Sequence, residues 1–239
     1  MQLTFDFPVN PQYRFSNFVI CPGNRTAFQF ARKIADRSEP ENLLYLHGPE
    51  GAGKTHLLMA VGQQLAGEQD AFPAGSCGSL EQLYDTSAGP ERASALAERF
   101  RDAPALLLDD IHLLPADRHL QAEVWQLFND FYTAGRKIVV TGQVPPKELT
   151  ALDGHLISRL LWGLVARVDI SDDDSRRMIM KKLAEDRQII LPADVIDYLL
   201  VRLPRDIPSL IGALELLTRQ ALATQRKITV RLAKEALTD

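Results

Sequence analysis

The chain of 239 residues is long enough for a nucleotide-sized α/β core plus a smaller second domain, and its hydrophobic content of 46% is ample for buried cores. Its net charge of −4 does not favour binding to the phosphates of duplex DNA, so nucleic acid is not the ligand that the composition predicts. Cys21 and Cys77 lack the spacing of zinc ligands or of a disulfide framework, which favours two reduced thiols.

The N-terminus alternates apolar and polar side chains. Leu3, Phe5 and Phe7 would share one face of an extended segment, and this apolar face is expected to pack against another surface. Either the protein's own sheet or the groove of a partner would supply that surface. Asp6 and Pro8 interrupt the segment where a signal peptide needs its apolar core, and no apolar run reaches the length of a membrane span. The sequence therefore predicts a cytoplasmic protein without a membrane partner.

Four apolar runs bounded by turn or charged residues predict β-strands, with helical patterns between them. These runs are residues 43–46, 105–108, 137–141 and 164–170. Strands that alternate with helices indicate a parallel sheet. The intervening segment 67–90 is rich in small and acidic residues, and we interpret it as a weak strand with loops and a short helix.

The sequence GPEGAGKT at residues 48–55 follows the first predicted strand and precedes the helical run HLLMAVGQQL. This is the pattern of a phosphate-binding loop. Gly51 and Gly53 would turn backbone N–H groups toward a β-phosphate, Lys54 would neutralise β and γ oxygens, and the Thr55 hydroxyl would ligate Mg²⁺. A chance match on a glycine-rich turn is the alternative, and the flanking strand and helix count against it. The predicted nucleotide-binding residues here are Gly48, Pro49, Glu50, Gly51, Ala52, Gly53, Lys54, Thr55 and His56.

The second predicted strand, in ALLLDDIHLL, ends in two acidic residues. Asp109 would hold the hydration shell of Mg²⁺, and Asp110 would orient the attacking water. Strand ends often carry acidic residues, so this pattern alone is weak evidence for a metal site. It becomes strong support because it follows a phosphate-binding loop at a suitable distance.

Beyond Ser171 the pattern changes to helices alone. Asp172 and its two acidic neighbours suit the start of a helix that runs to about residue 187, and Pro192 opens a second helix to residue 203. Asp206 with Pro208 begins a third, and Thr229 caps a fourth. The sequence predicts a sheet followed by a small helical bundle.

Several blocks together resemble one known family. They are YRFSNFVICPGNRTAF, NLLYLHGPEGAGKTHLLMAVG, LLLDDIHLL, TGQVPPKEL and ISRLLWGLVARV, spread over residues 13–168. The blocks resemble the AAA+ domain of the bacterial replication initiator DnaA and its shorter regulatory homologue Hda, and weaker similarity continues through RDIPSLIGAL and TQRKIT. The resemblance implies an α/β P-loop AAA+ parallel-sheet core at 13–170, a small α-helical lid domain at 171–239, and an N-terminal extended segment at 1–12.

The resemblance also assigns site residues. Arg159 matches an arginine finger, which reaches the γ-phosphate of a neighbouring subunit's ATP; from the residues alone it reads as a solvated helix arginine beside a core Trp162. The block around Val19 and Ile20, with Phe15 and Asn17, holds adenine in the family, and packing against the sheet is the competing interpretation. Together with the residues above, the resemblance implies ADP or ATP and Mg²⁺ as cofactors.

Two positions depart from the family pattern. Gln143 stands where the initiators usually carry an acidic residue. Pro208 stands where an arginine normally contacts the nucleotide, and it offers no side-chain donor. Either Arg205 reaches the nucleotide from the helix entrance or this contact is missing. We therefore expect weak intrinsic ATP hydrolysis and a main role in regulation.

The N-terminal QLTFDF fits the motif by which Hda docks on the DNA polymerase sliding clamp, with Gln2, Leu3, Phe5 and Phe7 as the contacting residues. An edge strand would explain the same alternation. From the positions of Tyr13 and Asp239 we expect neither the helicase-contacting domain of DnaA before the AAA+ block nor its DNA-reading domain after the lid.

The expected function is regulation of chromosome replication initiation. Bound to the clamp, the protein would present Arg159 to DnaA-bound ATP and stimulate its hydrolysis, contacting DNA only through the clamp. The sequence leaves open whether the protein forms a homo-oligomer. The alternatives are an autonomous AAA+ ATPase that loads a helicase and a DnaA-like protein that binds single-stranded DNA.

Overall fold

The structure is a computed structural model that describes residues 13–66, 77–79, 100 and 103–237. The expected clamp-binding segment 1–12 lies outside these residues, as does most of the segment 67–90 with its expected short helix. The weak strand expected in that segment is represented by Cys77–Ser79. No helix in the described ranges combines the length and the apolar character required to cross a bilayer.

The described part of the core contains five strands, β1 (Leu43–His47), β2 (Cys77–Ser79), β3 (Ala105–Asp109), β4 (Lys137–Gly142) and β5 (Leu164–Arg167). They form a parallel sheet in the order β2-β3-β4-β1-β5. The parallel α/β fold expected from the sequence is confirmed. Because all strands run in the same direction, the loops that follow β1, β3 and β4 meet at one edge of the sheet.

Helices cover both faces of the sheet, which explains why its strands are almost continuously apolar. Leu44, Leu46 and Val139 face α1 (Arg25–Ile34) and α2 (Lys54–Ala66). Tyr45 and Val140 face the opposite way, toward α3 (Arg118–Thr133) and α4 (Gly154–Leu160). Successive strand residues thus alternate between two buried clusters, as the period of two requires.

Strand β5 is shorter than expected. It ends at Arg167, whereas the apolar run continues to Ile170. The backbone N–H of Val168 still bonds to His47 O at 2.7 Å, but that of Asp169 bonds to Gly23 O at 3.0 Å. The chain leaves the sheet here because β1, its partner strand, has ended.

The C-terminal helices form a separate apolar core, as expected. They are α5 (Asp173–Asp186), α6 (Ala193–Arg202), α7 (Ile207–Thr224) and α8 (Val230–Ala236). The side chains of Asp172, Asp206 and Thr229 accept hydrogen bonds from the first turns of α5, α7 and α8, so the capping residues identified in the sequence mark real helix starts. Fully buried side chains including Met180, Leu199, Leu210, Leu214 and Leu217 hold these helices together.

Candidate nucleotide-binding site

A cleft of about 480 Å³ lies between the carboxyl edge of the sheet and the helical domain. Several parts of the chain line it: the loops after β1, β3 and β4, the N-terminal loop that precedes α1, and helices α5 and α7. Its polar wall contains Glu50, Lys54, Thr55, Asp110 and Gln143. Because the loop after β1 leads directly into α2, the charged groups and the N-terminus of that helix lie on one concave surface.

The loop after β1 adopts a conformation that its glycines make accessible. Gly48, Gly51 and Gly53 all have positive φ, at 152°, 71° and 104°. A Cβ added at Gly48 would lie 2.0 Å from Val168 O, and one at Gly53 would lie 3.0 Å from the Phe18 ring. Side chains at these two positions would therefore clash with neighbouring groups. Glycine allows the loop to stay packed there and to adopt a conformation that turns its backbone N–H groups toward a phosphate.

Lys54 is buried at the base of this loop. Its Nζ donates hydrogen bonds to Gly48 O and Pro49 O, each at 3.0 Å. Burial lowers the pKa of the ammonium, while the carboxylates of Asp110, Asp109 and Glu50 oppose that shift. The ammonium has a third donor, and its two bonds to loop carbonyls can be exchanged for bonds to phosphate oxygens.

Asp109 is held by hydroxyl groups on both sides. Thr55 Oγ1 donates to Asp109 Oδ2 at 2.8 Å, and Thr141 Oγ1 donates to Asp109 Oδ1 at 2.6 Å. The Thr141 hydroxyl also accepts from Asp110 N at 2.8 Å. Thr141 was not identified from the sequence; the parallel register, which pairs Leu108 with Val140, is what brings it beside Asp109.

These groups fit Mg²⁺ coordinated together with a nucleotide. The Thr55 hydroxyl and the Asp109 carboxylate offer two adjacent oxygens, the ligand type that Mg²⁺ prefers. No group of three or more His, Cys, Asp or Glu side chains converges within the described ranges. Mg²⁺ in nucleotide sites generally takes its other ligands from phosphate and water. When bound, the ion would polarise phosphate oxygens.

Asp110 lies in the cleft with a left-handed backbone, φ 52° and ψ 54°. Burial raises the pKa of its carboxyl group, and the charge of Asp109 acts in the same direction. The His112 ring lies beside this carboxyl group, with Nδ1 at 3.8 Å from Asp110 Oδ1. An acid in the cleft with a raised pKa has the properties of a group that orients or deprotonates water.

The N-terminal loop forms one end of the cleft. Asn17 and Val19 line it, but Phe15 packs on Phe28 and Ile20 is 44% exposed outside the cleft lining. Of the four residues expected near adenine, the structure brings two to the cleft.

Asn24 in this region was missed in the sequence, whereas His56 was among the predicted nucleotide-binding residues, and both line the cleft. Asn24 fixes the loop, since its Oδ1 accepts from Cys21 N at 2.7 Å and its Nδ2 donates to Val19 O at 3.0 Å. His56 lies edge-to-face with Tyr13 and Phe18, and its Nε2 is 2.9 Å from Arg14 O.

Helix α5 forms the opposite wall; the sequence predicted the helix but not its contact with the cleft. Ile179, Lys182, Leu183, Asp186 and Arg187 line the cleft, and Lys182 Nζ pairs with Asp186 Oδ1 at 2.7 Å. Their spacing over two helical turns could have indicated a shared face.

The two departures from the family pattern lie near the phosphate-binding loop. Gln143 follows β4 and lines the cleft. A Cβ added at Gly51 would lie 2.3 Å from Pro208 Cδ, so Pro208 at the start of α7 packs directly on the loop. Arg205 is not among the cleft residues; it is exposed, and its Nη2 lies 3.8 Å from Asp173 Oδ2. The structure brings Pro208, rather than Arg205, to the loop.

Arg159 lies outside the cleft, on α4. Its guanidinium carbon is 3.7 Å from the centroid of the Trp162 ring and 5.8 Å from that of Trp125. Trp162 is 51% exposed, so the description of this residue as a core tryptophan is wrong. Stacking on the indoles holds the guanidinium in place at the surface.

Comparisons with known proteins agree with this architecture. Residues 9–167 match the family model of the bacterial DnaA ATPase domain, and residues 173–237 match that of the Hda lid domain. The chromosomal replication initiator protein DnaA of Clavibacter sepedonicus is 31% identical over 237 residues, which are 98% of this chain and 50% of the relative. The chain thus spans about half the length of that relative.

Two solved structures are similar along most of the chain. Domain III of Thermotoga maritima DnaA superposes with a TM-score of 0.84 at 28% identity, over 97% of this chain and 98% of that one. AMPPCP-bound DnaA from Aquifex aeolicus gives 0.75 at 26% identity, over 89% and 66%. The chain belongs to the DnaA-related AAA+ family, with a helical lid of the Hda type.

Proposed function

We propose that this protein is a nucleotide-binding AAA+ regulator of chromosome replication initiation, and that it inactivates DnaA by stimulating hydrolysis of DnaA-bound ATP through Arg159. A segment at residues 1–12 tethers it to the DNA polymerase sliding clamp through Gln2, Leu3, Phe5 and Phe7. The AAA+ domain spans 13–170 and the lid spans 171–239. The protein acts in the cytoplasm and meets DNA through the clamp.

The observation that carries this proposal is the placement of Arg159. A guanidinium that acted on the chain's own nucleotide would line the chain's own cleft, and Arg159 does not. It is instead held by Trp162 and Trp125 at the surface, where a second protein can be reached. A positioned guanidinium of this kind stabilises the charge that develops on a transferred phosphoryl group.

The chain's own cleft supports a second part of the proposal, the binding of ADP or ATP with Mg²⁺. Lys54, Thr55 and Asp109 are the groups expected to meet the phosphates and the metal. Pro208 supplies no cationic side chain to the phosphates, and we propose that intrinsic hydrolysis, in which Asp110 orients the water, is therefore slow. The match of residues 173–237 to the Hda lid model favours a regulatory role over an autonomous motor.

The test is single-turnover hydrolysis of ATP preloaded on the cognate DnaA, in the presence of this protein and the DNA-loaded clamp. We expect Arg159→Ala to reduce the stimulated rate on the order of a thousandfold, the effect of removing an arginine finger. Trp162→Ala keeps the guanidinium but loses a stacking partner, and we expect a smaller loss of about tenfold.

Arg118→Ala is the matched control, because Arg118 is an exposed arginine at the start of α3 in the same domain. It should retain the full stimulated rate. Equal rates for Arg159→Ala and the wild type, with nucleotide binding and fold intact, would reject the finger. The double variant Gln2→Ala, Leu3→Ala tests the tether separately, since it should lose only the part of the stimulation that depends on the clamp.

A further inference from the structure

His112 places an unsatisfied nitrogen beside the nucleotide cleft. The residue lines the cleft in the short 3₁₀ helix Ile111–Leu113, directly after Asp110. Its side chain is 16% exposed, and Nδ1 is buried with no hydrogen-bond partner among the described residues. A buried polar atom left unpaired carries a free-energy cost, so a partner that arrives during function would remove that cost.

The Asp110 carboxylate lies close to this nitrogen, with Oδ1 at 3.8 Å from Nδ1. That distance is beyond a hydrogen bond but within about 1 Å of one. The backbone of Asp110 is fixed, because its N–H donates to Thr141 Oγ1 at 2.8 Å. Because the strand end is fixed, the movement that would close the gap is rotation of the carboxylate about its side-chain torsions.

The carboxylates of Asp109 and Asp110 differ in their hydrogen-bond partners. Both carboxylate oxygens of Asp109 accept hydroxyl hydrogen bonds, from Thr55 and from Thr141. For Asp110, the His112 ring is the side chain within ion-pair distance. A triphosphate brought to Lys54 adds negative charge in front of Asp110, and this repulsion favours the orientation that points toward His112.

We propose that His112 is a positioning residue for Asp110: its Nδ1–H closes on the Asp110 carboxylate when a nucleoside triphosphate enters the cleft, so that the orientation of this acid depends on the nucleotide. The inference rests on nucleotide binding by this chain's own cleft and is independent of the proposed partners. In this proposal the hydrogen bond between Asp110 and His112 distinguishes a nucleoside triphosphate from a diphosphate.

The direct test is nuclear magnetic resonance of protein labelled with ¹⁵N-histidine. The chain has five histidines, and the resonances of His112 are assigned by their loss in His112→Asn. We expect AMPPCP with Mg²⁺ to fix the His112 ring in its Nδ1–H tautomer with a slowly exchanging proton, and ADP with Mg²⁺ to do so less. Asp110→Ala, which lacks the acceptor, should abolish this response.

Nucleotide affinity provides the second readout. His112→Leu should weaken AMPPCP binding by about tenfold, the effect of losing a hydrogen bond to a charged group, and leave ADP binding unchanged. His112→Asn places an amide N–H near the position of Nδ1 and should restore most of the loss. His119→Leu, at an exposed histidine of α3, is the control for introducing leucine and should match the wild type.

Two results would overturn the inference. One is a His112 ring that responds identically to AMPPCP in the wild type and in Asp110→Ala, or that does not respond at all. The other is an equal loss of AMPPCP and ADP affinity in His112→Leu, which would mean that the residue only supports the fold. Failure to bind either nucleotide would reject the nucleotide site itself, and this inference with it.

Discussion

At the scale of single residues, Thr141 joins two strand ends of the site through one hydroxyl. It donates to Asp109 and accepts from Asp110 N, and its side chain is fully buried. We expect Thr141→Val to leave both groups short of a partner, lowering the free energy of unfolding by about 1–3 kcal/mol and weakening Mg²⁺-dependent nucleotide binding. Denaturant unfolding and titration with nucleotide measure the two effects.

The control is Thr218→Val in the helical domain. Thr218 Oγ1 donates to Leu214 O within its own helix at 2.7 Å, so this variant loses one hydrogen bond of the helix and no contact with the site. It should keep nucleotide affinity unchanged. If both variants bound nucleotide like the wild type, the Thr141 bonds would have no role in the site.

His56 provides a residue-scale prediction about pH. Burial lowers its pKa below the ordinary value of 6.5, against a smaller opposing effect of the Arg14 carbonyl and the Asp186 charge. The unfolded chain therefore binds a proton at a higher pH than the folded chain, and stability falls as pH drops through the range just below 6.5. We expect this part of the stability loss to be absent in His56→Gln.

His47 complicates the measurement, because burial lowers its pKa as well. The difference in unfolding free energy between wild type and His56→Gln, measured from pH 8 down to about pH 5, isolates the contribution of His56. The difference should be constant at pH values more than about one unit above 6.5 and vary with pH below that, as the unfolded histidine begins to bind a proton. A difference that stays constant throughout would mean that His56 has the same pKa in both states.

At the same scale, the sequence could predict which residues form the loop after β1 but not what holds them in place. The glycines, Lys54 and Thr55 form a local pattern, because neighbours in sequence are neighbours in the loop. Thr141, His112 and the α5 residues reach the site through strand register and domain packing, which depend on distant parts of the chain. Arg205 shows the same limit, since its nearness in sequence to Pro208 did not bring its side chain to the loop.

At the scale of elements, helix boundaries were more predictable than strand ends. A capping side chain bonds within its own first turn, so Asp172, Asp206 and Thr229 are readable from local sequence. The end of β5 depends on where β1 stops, which the apolar run through Ile170 does not reveal. Exposure of Trp162 likewise depends on what α4 packs against.

Helix α5 carries two adjacent arginines with opposite environments. Arg176 is buried and donates to the backbone carbonyls of Ile170, Ser171 and Arg205 and to Asp173. Arg177 is half exposed and pairs with surface carboxylates. Arg176 therefore ties the start of the lid to the segment that leaves the core and to the entrance of α7.

We expect Arg176→Met to lower the free energy of unfolding by about 3 kcal/mol, since it removes a buried guanidinium that bonds to three carbonyls and one carboxylate. It should also weaken nucleotide binding, because α5 and α7 line the cleft. Arg177→Met, on the same helix, should cost less than about 1 kcal/mol and leave binding intact, as expected for surface ion pairs. Equal losses in urea unfolding would show that burial of Arg176 is not what matters.

At the scale of the whole molecule, the core and the lid meet at the phosphate-binding loop. Gly51 touches Pro208, and Ile207 and Ile211 of α7 share the cleft with the loop. The contact is apolar, whereas the family pattern predicts a cationic side chain at this position. The position of the lid is thus coupled to the shape of the loop, in addition to any contact with the nucleotide.

The coupling predicts a long-range effect of a small substitution. Ala at position 51 adds a Cβ that would lie 2.3 Å from Pro208 Cδ, at a φ of 71° that strains any side chain. We expect Gly51→Ala to weaken nucleotide binding at least about tenfold, by displacing the lid as well as by straining the loop. Gly212→Ala, in α7 where an added Cβ meets nothing within 4 Å, should bind normally and be slightly more stable.

A second variant separates the two causes. Pro208→Ala removes Cγ and Cδ from the contact, so adding it to Gly51→Ala relieves the clash between the domains but not the backbone strain of the loop. We therefore expect the double variant to recover part of the nucleotide affinity that Gly51→Ala loses, measured by calorimetry at one pH and salt concentration. No recovery would assign the whole loss to strain at Gly51, and the lid would then be positioned by contacts other than this one.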